Sequence, residues 1–232
     1  MKTKFLIPIL FLFFIGCEKE KIEELPGNIT ALKPIENLVD SLKAVFSENG
    51  NFVRNNAVLF SDTIQKKIIL VNESSVFVTF IDENTDKKNT LCWYSYNKSQ
   101  PPLNNSDIIG NILFPNISKI GDGGLLELGY TVQLGSEKFP AGTAIGFFIV
   151  AGGWNDGTIN YNNNTFYTNN NLNSGGQQMH VFFKNKYSHY LIMGLEDNLN
   201  PPSDFNDVLF SVSDNKEGYE STSFDLTKVY VK

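Results

Sequence analysis

The chain has 232 residues, with 19 Lys and Arg against 25 Asp and Glu and a formal net charge of −6. That acidic balance excludes nucleic acid and anionic lipid headgroups as partners. Arg54 is the only arginine, so the sequence holds no guanidinium cluster for phosphates or sulfated sugars.

Lys2 and Lys4 precede an apolar run, Phe5–Ile15, that stops at Gly16-Cys17. A basic start followed by about ten apolar residues predicts a secretory leader, too short to span a bilayer. Gly16-Cys17 resembles the lipobox of bacterial lipoproteins, which implies cleavage before Cys17 and acylation of its thiol. Phe14 departs from the Leu or Val usual three residues before that cysteine. Acyl chains contribute about 0.8 kcal/mol per buried CH₂, so several chains on Cys17 would anchor the protein to a membrane. The expected organisation is a signal peptide over residues 1–16, a lipidated Cys17 with a flexible tether over 17–33, and a single domain over 34–232. Losing Lys2 and Lys4 with the leader makes the mature chain two charges more negative. Cys92 is then left without a disulfide partner, and beside Trp93 and Tyr94 its expected role is core filling. The charged stretch Glu18–Glu24 ends in Pro26-Gly27, as a tether should. Its acidic start also resembles the surface-export signal of Bacteroidetes-type lipoproteins, which implies an outer membrane lipoprotein exposed at the cell surface.

From Pro34 to Asn49 the apolar residues Ile35, Leu38, Val39, Leu42, Val45 and Phe46 recur at helical spacing, with Pro34 suited to the first turn and Asn49-Gly50 to the stop. One amphipathic helix covering part of a sheet is predicted here. Beyond Gly50 the pattern changes to strands: Lys67–Val71, Ser75–Ile81, Leu91–Tyr96, Asn111–Phe114, Leu125–Thr131, Thr143–Val150, Met179–Phe183, Tyr190–Met193, Val208–Val212 and Val229–Val231. Turn residues separate them, as at Asn72-Glu73-Ser74 and Gly121-Asp122-Gly123-Gly124. About ten short strands without alternating helices predict an all-β fold, an antiparallel β-sandwich of jelly-roll type with the one N-terminal helix.

Residues 152–178 are rich in Asn, Gly and Tyr and lack apolar periodicity, which predicts a long loop. Trp154, Tyr161 and Tyr167 within it are candidates for a recognition surface, since aromatic rings stack on sugars or partner chains while Asn supplies hydrogen bonds. Packing of these rings over one end of the sandwich is the competing expectation.

An ordered series of short motifs carries a family resemblance. It includes Val78-Thr79-Phe80, Asn89-Thr90-Leu91, Gly142-Thr143-Ala144-Ile145-Gly146-Phe147, Gly153-Trp154, Gln178-Met179-His180, Gly194-Leu195-Glu196-Asp197 and Asp204-Phe205-Asn206-Asp207. The series, over about residues 74–213, resembles an uncharacterised bacterial surface-domain family found in LruC-like lipoproteins and Bacteroidetes secreted proteins. The resemblance implies fold and location more than activity. The family's closing motif has an Asp where this chain has Pro202, which removes one carboxylate.

That closing motif is the one place where residue chemistry and spacing suggest a site. Two strand-like runs flank a loop bearing Glu196, Asp197, Asp204, Asn206 and Asp207. Crowded carboxylates call for a cation, a shared proton or a solvated turn. Alternation in an extended segment places Asp204 and Asn206 on one face, to act with Glu196 or Asp197 across the hairpin. Oxygen donors without a nearby His or Cys suit Ca²⁺, held weakly given Pro202. A turn-and-cap role without metal is the alternative.

His180 alternates with Val181 and Phe182 and is expected to be structural. No HExxH, CxxC pair, Ser-His-Asp order or phosphate-binding loop occurs, so no enzyme is expected. Asp62-Thr63-Ile64 resembles a Bacteroidetes O-glycosylation triplet, with Thr63 as acceptor. The combined expectation is a lipid-anchored cell-surface binding or adhesion module with a weak structural Ca²⁺ site, its partner a surface glycan or protein. A structural envelope lipoprotein without ligand or metal is the alternative.

Overall fold

A computed structural model describes residues 21–33, 38–46, 52–199, 203–218 and 220–232. Cys17 and the leader lie outside them, as do both ends of the expected 34–49 helix. Its centre is helix α1 (Leu38–Val45), with Leu38 and Leu42 buried one turn apart. The exposed Asp40–Lys43 pair, at 3.9 Å, adds little. A short helix α2 (Phe52–Asn55) and a 3₁₀ turn (Ala57–Phe60) follow, and neither was expected. No helix among the described residues is long and apolar enough to cross a membrane.

The strands in chain order are β1 (Thr30–Ala31), β2 (Ile68–Ile69), β3 (Phe77–Asp82), β4 (Thr90–Asn97), β5 (Asn111–Phe114) and β6 (Tyr130–Gln133). Then come β7 (Thr143–Val150), β8 (Trp154–Asn155), β9 (Thr158–Ile159), β10 (Thr165–Tyr167), β11 (His180–Lys184), β12 (Leu191–Leu195) and β13 (Val208–Ser213). They form a six-stranded sheet, β1-β6-β3-β13-β12-β11, and a second sheet, β10-β7-β4-β5. β2 also pairs with β7, so β2 and β10 share one edge of that strand, Ile68 opposite Ile145 and Thr165 opposite Val150. All these pairings are antiparallel.

Strand alternation sorts the apolar side chains into separate layers. Val78, Phe80, Leu191, Met193, Val208, Phe210 and Val212 of the first sheet meet Leu91, Trp93, Ile145, Phe147 and Ile149 of the second in one core. Phe147 and Phe210 touch edge to face across it, ring centroids 4.9 Å apart. Each such ring, fully buried, contributes about 1.5–3 kcal/mol. The intervening residues Ile81, Val181, Phe183, Ile192 and Leu209 point outward, under Leu38, Leu42, Phe46, Phe52 and Leu59 of the helical segment. On the far face of the second sheet, Cys92, Tyr94, Phe148, Val150 and Tyr167 form a third cluster. Gly194 on β12 is needed where the helical layer and the 196–207 loop close together. A Cβ there would collide with the Phe205 carbonyl and sit 3.0 Å from the Phe46 ring.

Three expectations change. The strand predicted over Leu125–Thr131 begins only at Tyr130, after a turn closed by the Tyr130 N–H on the Glu127 carbonyl, and runs on to Gln133. Val229–Val231 is no full strand but a single parallel bridge, Val231 to Lys184, beside the edge strand β11. The 152–178 stretch is not one loop: it holds the β8–β9 hairpin and β10, which completes the second sheet. β10 was hidden because three residues among asparagines carry too little alternation to read.

Candidate metal centre

β12 and β13 pair in register up to Leu195 opposite Val208. The next residues outward, Glu196 and Asp207, therefore face each other where the strands diverge. Across that mouth the Asp197 N–H donates to Asp207 Oδ2 at 2.6 Å. Glu196 Oε1 accepts from the Asn198 amide at 2.6 Å, and Oε2 from the backbone N–H groups of Asp204 at 3.2 Å and Phe205 at 3.4 Å. Asp197 is held from the β3–β4 connection: Oδ2 accepts from Thr85 Oγ1 and Asn89 Nδ2, both at 2.8 Å, while Lys87 Nζ lies 2.5 Å from Oδ1.

One carboxylate oxygen from each of Glu196, Asp197 and Asp207 lies within 4.8 Å of the other two. The three residues are only 1%, 2% and 8% exposed. Burial, reinforced by the neighbouring Asp197 and Glu196 charges, pushes the Asp207 carboxyl up to about 9. Burial likewise raises Glu196 to about 7, against the hydrogen bonds it accepts from Asp207 and the Phe205 N–H. Among the described residues Lys87 is the ammonium in contact with the group, and the two raised carboxyls favour a proton shared between Glu196 and Asp207 when no cation is held. A Ca²⁺ ion would neutralise the same charges. Ligands at roughly 2.3–2.6 Å from an ion stand up to about 5 Å from one another, so the oxygen spacing and the all-oxygen donor set fit it.

Of the five candidate residues, Glu196, Asp197 and Asp207 are the carboxylates that come together, although alternation alone sets Asp204 and Asn206 on the face toward Glu196 and Asp197. Phe205 is the reason: its φ of 60° is left-handed, which breaks the extended pattern. Its ring is buried against Phe52 and Phe60, each with centroids 5.4 Å away. Asp204 stays half-buried beside Glu196, and its charge helps raise that group. Asn206 is buried facing the helical layer, where it helps line a cavity of about 400 Å³ with Phe46, Ile81 and Leu209.

Sequence reasoning missed Thr85 and Lys87 as partners, although Asn89 stood in the motif series. It also missed Glu83, 1% exposed, which accepts from the backbone N–H groups of Thr85 at 3.2 Å and Lys119 at 3.3 Å and fixes the same connection. Burial raises its carboxyl too. The signal was the dense polar run Asp82–Asn89 between two apolar strands.

The other candidates fall elsewhere. Trp154 and Tyr167 are 6% and 8% exposed, whereas Tyr161 is 56% exposed, so two of the three rings fill the protein instead of facing a partner. Tyr167 packs on Phe148 at 5.3 Å as part of β10. Thr63 is exposed in a turn, its hydroxyl 2.8 Å from that of Ser61. Cys92 is a buried free thiol, pushed by burial up to about 12 and inert at neutral pH. His180 is buried, its Nε2 hydrogen-bonded to the Lys66 carbonyl at 2.9 Å.

Residues 139–215, from just before β7 to just past β13, match the family model of a domain of unknown function (DUF4114). The match agrees with the uncharacterised domain family suggested by the motif series and contains the whole acidic hairpin. No curated protein and no solved structure matches the chain.

Proposed function

We propose that the chain is a lipid-anchored, cell-surface binding module on a jelly-roll-type β-sandwich, stabilised by a Ca²⁺ ion in the 196–207 loop. The lipobox-like Gly16-Cys17 and the acidic tether support the location. One observation carries the cation: among the described residues, three carboxylates are buried together against a single ammonium group. A catalytic role is not proposed, because groups sealed to this degree do not meet a substrate. A second reading, a structural envelope lipoprotein without ligand, draws support from the burial of Trp154 and Tyr167, which takes away the expected recognition loop.

The cation reading is tested by thermal unfolding in EDTA and in 10 mM Ca²⁺. A site of about 1 mM affinity stabilises the fold by roughly 1.4 kcal/mol at that concentration. For a chain of this size that raises the midpoint by about 3–6 °C. An unchanged midpoint overturns the Ca²⁺ site.

A further inference from the structure

We propose that residues 21–32 act as a strap that holds the β8–β9 end of the fold against the membrane, where it meets a zwitterionic headgroup layer. This rests on the lipid-anchored reading above and adds which face meets the lipid and how near it lies. From Cys17 to Lys21 there are four peptide steps, which span at most about 14 Å when fully extended. The position of Lys21 therefore decides where the acylated end can reach. Lys21 sits on the tip of the β8–β9 hairpin. The Ile22 N–H donates to the Gly157 carbonyl at 2.8 Å, and a Cβ added to Gly157 would come within 3.1 Å of the Lys21 Cβ.

The strap is tied along its course. Asn116, fully buried, donates its amide to Glu24 Oε1 at 2.8 Å and to the Gly123 carbonyl at 3.0 Å, while its Oδ1 accepts from the Ser118 N–H at 3.1 Å. Leu25 and Ile29 then pack on the core between the sheets. β1 follows, Thr30 opposite Thr131 of β6, and the Leu32 N–H closes on the Gly129 carbonyl at 2.8 Å. The hairpin that receives the outer end is equally defined. Asp156 and Gly157, with φ of 42° and 93°, form its two-residue turn, and Trp154 at its base is buried. A segment fastened by a backbone bond, a buried amide and two apolar side chains does not behave as a slack linker.

Asn89 fixes which end of the fold this is. Its Oδ1 accepts from the Gly152 N–H, just before β8, at 2.8 Å, and its Nδ2 donates to Asp197. The hairpin and the acidic loop thus share one end, while the β11–β12 turn, with Tyr187 75% exposed, lies at the other end of β12. The surface of the hairpin end suits headgroups. Asn155, Thr158 and Tyr161 are exposed and neutral, and the exposed Lys21 and Lys88 balance Glu23 and Asp156. In a chain of net charge −6, such a locally neutral face can lie on zwitterionic lipid without repulsion. Tyr161, an apolar ring with a polar tip, matches the interface itself. A folded protein partner does not fit here, because the roughly 14 Å of chain to the lipid is less than the thickness of a domain.

The test places the full acylated chain in phosphatidylcholine vesicles, with a bimane label at Asn155→Cys or at Tyr187→Cys. Acylation blocks Cys17 and burial shields Cys92, so neither takes the label. A second chain carries about twenty Gly and Ser residues inserted between Glu20 and Lys21, a spacer of roughly 25 Å that leaves the strap and the fold intact. Acrylamide should quench the label at position 155 about threefold less in the parent than in the spacer chain, and the label at 187 equally in both. Ile22→Pro with Glu24→Ala removes both polar ties of the strap's outer end at part-buried positions, and should expose the label at 155 while the chain still floats with the vesicles. Equal quenching at 155 in parent and spacer chains overturns the inference, as does protection at 155 that survives the double substitution. Flotation in either case leaves the lipid anchor in place. A chain without acyl mass on Cys17 that fails to float overturns the anchor, and the inference with it.

Discussion

The backbone N–H of Asp197 donates to the Asp207 carboxylate at 2.6 Å, tying together the two ends of the loop that joins β12 to β13. The Asp197 carboxylate is in turn gripped by Thr85, Lys87 and Asn89, which connects the closed hairpin to the β3–β4 connection. Neutralising the acidic group should therefore affect the stability of the whole β fold.

The first expectation concerns pH without cation. Glu196 and Asp207 titrate at about 7 and about 9 when folded, above their unfolded values of 4.5 and 3.8. The folded state then binds more protons than the unfolded one. Their contribution is full below about pH 4 and is lost as pH rises through 7 to 9. In EDTA the unfolding midpoint should fall between pH 6 and 9. Ca²⁺ at 10 mM should reduce that fall, and Asp207→Asn should remove most of it together with the Ca²⁺ response. A flat EDTA profile would contradict the buried-proton arrangement.

Lys87 acts as the group's own counter-ion, and at 37% side-chain exposure it can swing away. Lys87→Met should cost roughly 1 kcal/mol in EDTA, as expected for a half-exposed pair. It should also enlarge the midpoint rise on adding Ca²⁺. Equal Ca²⁺ responses in variant and parent would show that the ammonium and the ion do not compete.

His180 gives the opposite pH dependence. Burial lowers its pKa from 6.5 to about 4, so neutral imidazole is favoured in the fold. That stabilisation is complete above pH 6.5 and is lost as pH falls toward 4. In a background carrying both Asp207→Asn and Glu196→Gln, where both raised carboxyls are removed, the midpoint should drop across that window. His180→Gln should flatten the drop, measured by circular dichroism melts.

Trp154 and Tyr161 separate packing from recognition. Trp154→Ala should destabilise by about 3–5 kcal/mol in urea unfolding, and Tyr161→Ala should stay within about 0.5 kcal/mol. A Trp154→Ala protein of parental stability would return this ring to the candidate binding residues.

Gly194→Ala should prove more costly than most single-methyl additions, by about 2–3 kcal/mol, because the colliding atom is the Phe205 backbone carbonyl and not a flexible side chain. Gly27→Ala meets nothing within 4 Å and serves as the control.

β5 and β7 have the bounds that their apolar runs predict, because dense β-branched and aromatic residues leave no helical alternative. The centre of α1 was equally legible from its 3.6-residue period. The helical turns at 52–60 were not, since short apolar runs do not distinguish strand from helix without their neighbours. β1 was hidden for a related reason: two residues form a strand only because β6 lies beside them. In the acidic loop the residue types were legible and the grouping was not. One left-handed residue, Phe205, turned Asp207 inward in place of Asn206. Lys87 and Thr85 come from 110 and 112 positions away, and only the sheet order brings them to Asp197.

The strand order also bears on how this domain can be cut. The matched segment 139–215 holds β7 without β4 and β13 without β3, the strands hydrogen-bonded along their flanks. A fragment trimmed to those residues would expose two long strand edges and the Phe147–Phe210 core to solvent, the conditions that drive edge-to-edge aggregation. The autonomous folding unit must therefore reach back at least to β3, well before the segment by which the family is recognised.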